Sequence, residues 1–189
     1  MLLRVGGLRG GASPGLPWPT WLSGSLLSKG TQLENAAWTQ TALASLTANV
    51  APSLYAGVSY DRMIENTANT THHVTQSYVF AATQQYVLRA IVKPVGTRNL
   101  SLFLPATPFT TAPHGRFTLT GGGSAAAVAN CTVDISQLSD SSYLCTVTAT
   151  STVGGNGSAT VRIVSGTTTS YAGDGTSGLD VAAVGLALA

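Results

Sequence analysis

The sequence predicts an all-β fold, an antiparallel β-sandwich preceded by an extended N-terminal arm, and three observations carry that reading. Charged residues make up 8% of the 189 residues, against about 25% in a typical soluble domain, while the apolar share of 44% is ordinary. The surface is therefore covered by uncharged polar groups, and about a quarter of the chain is Ser or Thr, a composition that suits strands and turns. From Trp38 onward, short runs of alternating apolar and polar residues recur every 8–12 residues or slightly more, separated by Gly, Pro, Asn and Asp. At a prior of about 100–200 residues per domain, the length allows one domain with modest extensions.

Residues 1–33 are set apart by frequent Gly and Pro and by the absence of a sustained hydrophobic period. They nevertheless carry Trp18, Trp21, Leu22, Leu26 and Leu27, apolar side chains that are costly to leave in water and typical of interface anchors. This reads as an arm that orders on a partner, with folding back onto the domain's own surface as the alternative. Gly and Pro interrupt the first residues before a signal-peptide core can form. No run approaches the roughly 20 apolar residues of a membrane helix, so no membrane insertion is expected.

The segment Glu34 to Ala44 shows only a weak helical period and is assigned to loop and strand. His73 to Phe80 is a strand-like run. Tyr86 to Lys93 places Tyr86, Leu88, Ala90 and Val92 on one face and Arg89 and Lys93 on the other, the period of two of a half-buried strand. Asn99–Leu104, Arg116–Thr120, Ala126–Ile135, Tyr143–Thr150, Ala159–Val164 and Leu179–Leu186 continue the series. The turn after Ile135 would bring Cys131, Val133, Cys145 and Val147 onto one inner face, and Gly154 to Gly157 suggests a second hairpin. The two cysteines lack zinc-site spacing and read as small core residues, with a bridge between them left open.

Several motifs fail on physical grounds. Gly11-Ala12-Ser13-Pro14-Gly15 has the spacing of a nucleophile elbow but no strand before it and a Pro after the serine. Gly173 to Gly178 fits a dinucleotide-binding spacing, yet the 11 residues that follow Gly178 are too few for the helix and second strand of a βαβ unit; it reads as a glycine-rich turn. His72 and His73 are adjacent, so on a strand they point to opposite faces and cannot share a metal. Asp61 and Glu65 have no evident common cleft for acid–base work. No catalytic group, metal or cofactor is therefore expected. With 9 basic and 7 acidic residues scattered along the chain, nucleic acid is excluded as a partner.

The segment Ser170-Tyr171-Ala172-Gly173-Asp174-Gly175-Thr176-Ser177-Gly178 resembles the SYxGDGTSG segment closing a family of bacteriophage structural and tail-fibre domains. Other segments agree in order: Asn35 to Thr39, Asp61-Arg62, His72 to Gln76, Tyr86 to Lys93, Phe117 to Gly121 and Tyr143 to Cys145. The resemblance spans about residues 34–186 and implies a jelly-roll domain, residues 34–189, of the lectin or carbohydrate-binding-module kind. Ser142 stands where the family has Trp, and Ala182 to Ala187 where it has a Trp-led segment. Two stacking rings are thus missing, which disfavours a sugar site.

Together these imply a virion structural protein on the exterior of a phage particle: a decoration, spike or fibre module anchored to capsid or tail proteins through its arm. Low-charge, hydroxyl-rich strands suit lateral packing of copies in a symmetric trimer or larger. The alternative is a module binding host surface glycan, with Trp38, His72, His73, Tyr171 and Asp174 as the residues that would contact a glycan or partner protein.

Overall fold

A computed structural model describes residues 16, 17 and 19–189; Trp18 and the Gly11–Gly15 motif lie outside the described residues. The chain is all-β. Two six-stranded antiparallel sheets pack face to face as a jelly-roll-like β-sandwich. Sheet I has the order β1 (Thr39–Thr41), β5 (His72–Phe80), β12 (Gly155–Val164), β7 (Asn99–Phe103), β8 (His114–Thr118), β9 (Ser124–Val128). Sheet II runs β10 (Cys131–Gln137), β11 (Tyr143–Thr150), β6 (Gln85–Val95), β14 (Gly178–Leu188), β3 (Ser59–Glu65), β2 (Leu43–Pro52). A small ribbon of β4 (Asn69–Thr70) and β13 (Tyr171–Ala172) closes one end. Among the described residues there are also two one-turn helices, α1 (Thr20–Ser23) and α2 (Ala106–Phe109).

The core is built from the alternating inward positions. Val74 and Phe80 of β5, Val161 and Ile163 of β12, and Leu100 and Leu102 of β7 meet Leu88, Ala90 and Val92 of β6 and their neighbours on sheet II, all buried. At about 25 cal/mol per Å² of apolar surface removed from water, this shared layer is the main stabilising contribution. At one end Phe80 stacks edge-on against Tyr86 and Phe109, with ring centroids 5.0 and 5.1 Å away. The Tyr86 hydroxyl accepts the Ala81 N–H at 2.8 Å, so its polar tip is satisfied.

Four readings of the sequence change. Ala126 to Ile135 is not one strand: Ala129 and Asn130 adopt φ 58° and 41°, and the chain leaves β9 in sheet I to begin β10 in sheet II. Gly155 and Gly157 lie within β12, which pairs with β5 and β7 rather than returning on β11, so the connection crosses between sheets instead of forming a hairpin. β6 is buried on both faces, Ile91 being 1% exposed, because an outer cluster of Trp21, Leu22, Tyr60 and Ala183 covers it. Residues 43–65 form two strands that the alternation did not reveal. The hairpin of β10 and β11 holds, with Val133 opposite Val147 and Ile135 opposite Cys145, and both cysteines are free thiols.

Residues 19–33 do not extend away from the sandwich. β3 pairs with β14 only from Gly178 to Val181, which leaves the second half of β14 without a neighbour on that side. The segment fills this gap: the Leu26 N–H donates to Leu186 O at 2.6 Å and the Val184 N–H to Gly30 O at 2.7 Å. Leu27 and Leu33 enter the main core, while Trp21 and Leu22 cap the outer cluster. The physical reason is that an unpaired strand edge with buried flanks must find backbone partners.

Candidate functional site

The residues singled out in the C-terminal motif converge at the end of the sandwich where β3, β5 and the β6–β7 turn meet. Glu65, the last residue of β3, is fully buried. Its two carboxylate oxygens accept the Arg98 Nε–H at 2.9 and 3.0 Å, and Oε1 also accepts from Arg98 Nη2. The Tyr171 hydroxyl donates to Oε2, and the Asp174 N–H donates to Oε1 at 2.9 Å. Arg98 reaches on to Asp174 Oδ2 at 3.0 Å, and its guanidinium lies 5.2 Å from the Tyr171 ring centroid. The buried carboxylate is thus surrounded by donors, the condition under which a buried ion pair is tolerated.

The electrostatics follow from these contacts. Burial alone would raise the Glu65 carboxyl, but the hydrogen bonds from Arg98, Tyr171 and the Asp174 backbone outweigh it and hold the group below the usual carboxylate range. Burial and the neighbouring Glu65 carboxylate push the Tyr171 phenol up. Hydrogen bonds from Ser177, then from the Thr176 N–H, hold Asp174 well below its ordinary value. Asp174 Oδ1 accepts the N–H groups of Thr176 and Ser177 at 2.8 and 2.6 Å, an Asx-type turn that shapes the loop.

The glycines of the motif serve close approach. A Cβ on Gly173 would stand 2.0 Å from Asn66 O and one on Gly178 1.8 Å from Met63 O. Both obstacles are backbone atoms, so no side-chain rotation relieves them. Gly178→Ala is expected to separate β14 from β3 at a cost of at least ~1–3 kcal/mol, the usual range for overpacking, measured as a lower urea midpoint with an unchanged m-value. The motif therefore reads as a clasp that holds the turn before β14, and β14 itself, against β3 and the residue that follows it, and the glycine-rich turn anticipated at Gly173–Gly178 is what the chain forms.

The other candidate contact residues are dispersed. Trp38 is 3% exposed within the core cluster, and its Nε1–H donates to Lys29 O at 3.0 Å. His72 is buried, with Nδ1 2.7 Å from Ala42 O and Nε2 3.2 Å from Tyr171 O. His73 points to the opposite, outer face of sheet I. The structure brings His72, Tyr171 and Asp174 together but spends their polar atoms on internal partners. Of the anchoring residues, Trp21, Leu22, Leu26 and Leu27 pack on the chain's own sheets, and Trp18 lies outside the described residues.

Asp61 and Glu65 share the inner face of β3 but serve separate partners. The Asp61 carboxylate accepts the Leu33 and Asn49 N–H groups at 2.8 and 3.1 Å. Arg98 was not legible as its neighbour's partner, because 33 residues separate it from Glu65. Among the described residues, no group of three or more His, Cys, Asp or Glu could hold a metal ion, and no helix is long and apolar enough to cross a membrane. The fold and clasp define a β-sandwich closed by a buried ion pair. No family model and no curated protein matches the chain.

Proposed function

We propose that the chain is a structural module of a bacteriophage particle, a decoration, spike or fibre domain that works by packing and display rather than by catalysis. The observation that carries this reading is the internal use of the motif residues. Tyr171, Asp174, Glu65 and Arg98 bond to one another, which gives a closed end to a display domain and commits the buried Glu65 carboxylate and the Tyr171 hydroxyl to internal partners rather than to a sugar. The uncharged edge strand β9, Ser124–Val128, supports lateral packing of copies along that edge, since burying charge between subunits is costly. With residues 19–33 engaged on the sandwich, attachment to capsid or tail is assigned to the part of the chain that precedes them.

Antibody labelling of purified particles from the encoding phage tests this. Regular decoration visible by electron microscopy is expected, together with a trimer or larger assembly on sedimentation of the isolated chain. Particles that bind no antibody while the lysate contains the protein would overturn the reading.

A further inference from the structure

The outer face of sheet I carries a row of cationic and polar side chains without a counter-charge. Strand pairing places His73 beside Arg162, Arg162 beside Ser101, and Ser101 beside Arg116, four neighbours across β5, β12, β7 and β8 spanning roughly 14 Å at ordinary strand spacing. Each has an orphaned polar atom: His73 Nδ1, Arg162 Nε, Ser101 Oγ and Arg116 Nε are buried with no hydrogen-bond partner among the described residues. Such groups are rare in native folds and point to a partner outside the chain. One orphan could be accidental; four in one row, on adjacent strands, are an arrangement.

The row cannot be neutralised from within the sequence. Of the 7 carboxylates, Asp61, Glu65, Asp134 and Asp180 sit on strands of sheet II, and Glu34, Asp140 and Asp174 lie in connections outside sheet I. No strand of sheet I contains an acidic residue, and none occurs in residues 1–15. The adjoining row adds His114, opposite Phe103. Arg162 stacks 4.7 Å from the Phe103 ring centroid, an arrangement that holds its guanidinium flat against the sheet. Burial pulls the Arg162, His73 and His114 values down, and the neighbouring arginines add to this for both histidines. Beside Arg116, a hollow of about 150 Å³ is bounded by Thr118, Ser124, Ala126 and the Gly166–Thr167 turn, a volume equal to about five waters at liquid density.

We propose that this face binds an oxyanion, a carboxylate, sulfate or phosphate group, between Arg116 and Arg162 as the charged ligands, with Ser101, on the strand between them, as a neutral donor. Guanidinium groups favour such ligands because their planar N–H forks match the oxygen spacing. The group can come as a free ion or as part of an acidic polymer. The site uses none of the residues of the Glu65–Arg98 clasp and is independent of the virion reading.

The test is a titration of the ¹⁵N-labelled full chain with sodium sulfate against sodium chloride at matched ionic strength, following the arginine Nε–H resonances. Arg116 and Arg162 are expected to shift along a saturable curve, while Arg62 and Arg98, already paired with Asp180 and Glu65, stay in place. A folded Arg116→Gln/Arg162→Gln variant should bind sulfate at least tenfold more weakly. Polygalacturonate distinguishes the sources: at equal carboxylate concentration, binding at least tenfold tighter than sulfate assigns a polymer-borne group, and comparable binding a free ion. Linear shifts common to all four arginines in the wild type, which requires no variant to fold, would overturn the proposal.

Discussion

Arg98→Ala is expected to destabilise the protein by about 3–5 kcal/mol, the range for breaking a buried ion pair by removing one partner. The Arg98 side chain is 11% exposed and Glu65 0%, so the remaining carboxylate cannot be solvated without opening the end of the sandwich. At about 2–4 °C per kcal/mol for a chain of this size, the melting temperature should fall by about 6–20 °C. The loss has a distinctive dependence on pH. In the wild type the Glu65 carboxyl sits below its ordinary value, so its contribution is fully present above the unfolded value of about 4.3 and is lost as pH falls through the folded one. In Arg98→Ala only the Tyr171 hydroxyl and the Asp174 N–H still offset the burial penalty, the carboxyl is raised relative to the wild type, and protonation in acid relieves part of the strain. The stability difference between the two proteins should therefore shrink from pH 7 towards pH 4. A difference that stays constant across that range would show that Arg98 acts through packing of its alkyl stem alone. Arg98→Lys, which retains charge but not the two-pronged contact, should restore only part of the loss.

The clasp also shows why some of this structure was legible beforehand and some was not. β6 announced itself because Tyr86, Leu88, Ala90 and Val92 fall on one face and Arg89 and Lys93 on the other, and the same period of two located β5, β7, β11 and β14. β3 gave no such signal: its sequence, Ser-Tyr-Asp-Arg-Met-Ile-Glu, reads as a charged surface segment because Asp61 and Glu65 are buried only by virtue of Leu33, Asn49 and Arg98, which arrive from 12 to 33 residues away. Between β9 and β10 the break falls at Ala129-Asn130, where the sole local hint is that Asn tolerates a left-handed backbone. The motif at the C-terminus was visible as a string, but its work was not, since a glycine needed beside Met63 O looks the same in sequence as one needed for a phosphate. Arg116 and Arg162 could have been noticed from one-dimensional data, by observing that their strands and those flanking them lack any carboxylate; what sequence could not supply was the strand order that puts them in one row.

Deleting residues 1–30 should abolish cooperative folding, whereas deleting residues 1–15 should leave it intact. The longer truncation removes the acceptor and donor that pair with the Val184 N–H and Leu186 O, the Lys29 carbonyl that accepts from the Trp38 indole and the Ser28 carbonyl that accepts from Gln76 at 2.8 Å. Each buried group left without a partner costs about 1–3 kcal/mol. Loss of the buried Leu27 removes about 1.5–3 kcal/mol more, and Trp21 no longer shields the backbone at Gly185, which it approaches so closely that a Cβ there would lie 2.7 Å from its ring. The sum is comparable with the whole stability of a typical domain, about 5–15 kcal/mol. The exposed edge of β14 would add a template for aggregation. The shorter truncation leaves every one of these contacts in place, including the Leu16 N–H donating to Leu54 O at 2.9 Å. Circular dichroism melts of the two truncated chains distinguish the outcomes, and a cooperative, soluble product from the longer deletion would mean that the sandwich closes without residues 19–30. For the virion reading the distinction is decisive in another way: only the shorter deletion can separate attachment from folding, because a chain that has lost the patch on β14 would fail to join particles for want of a fold.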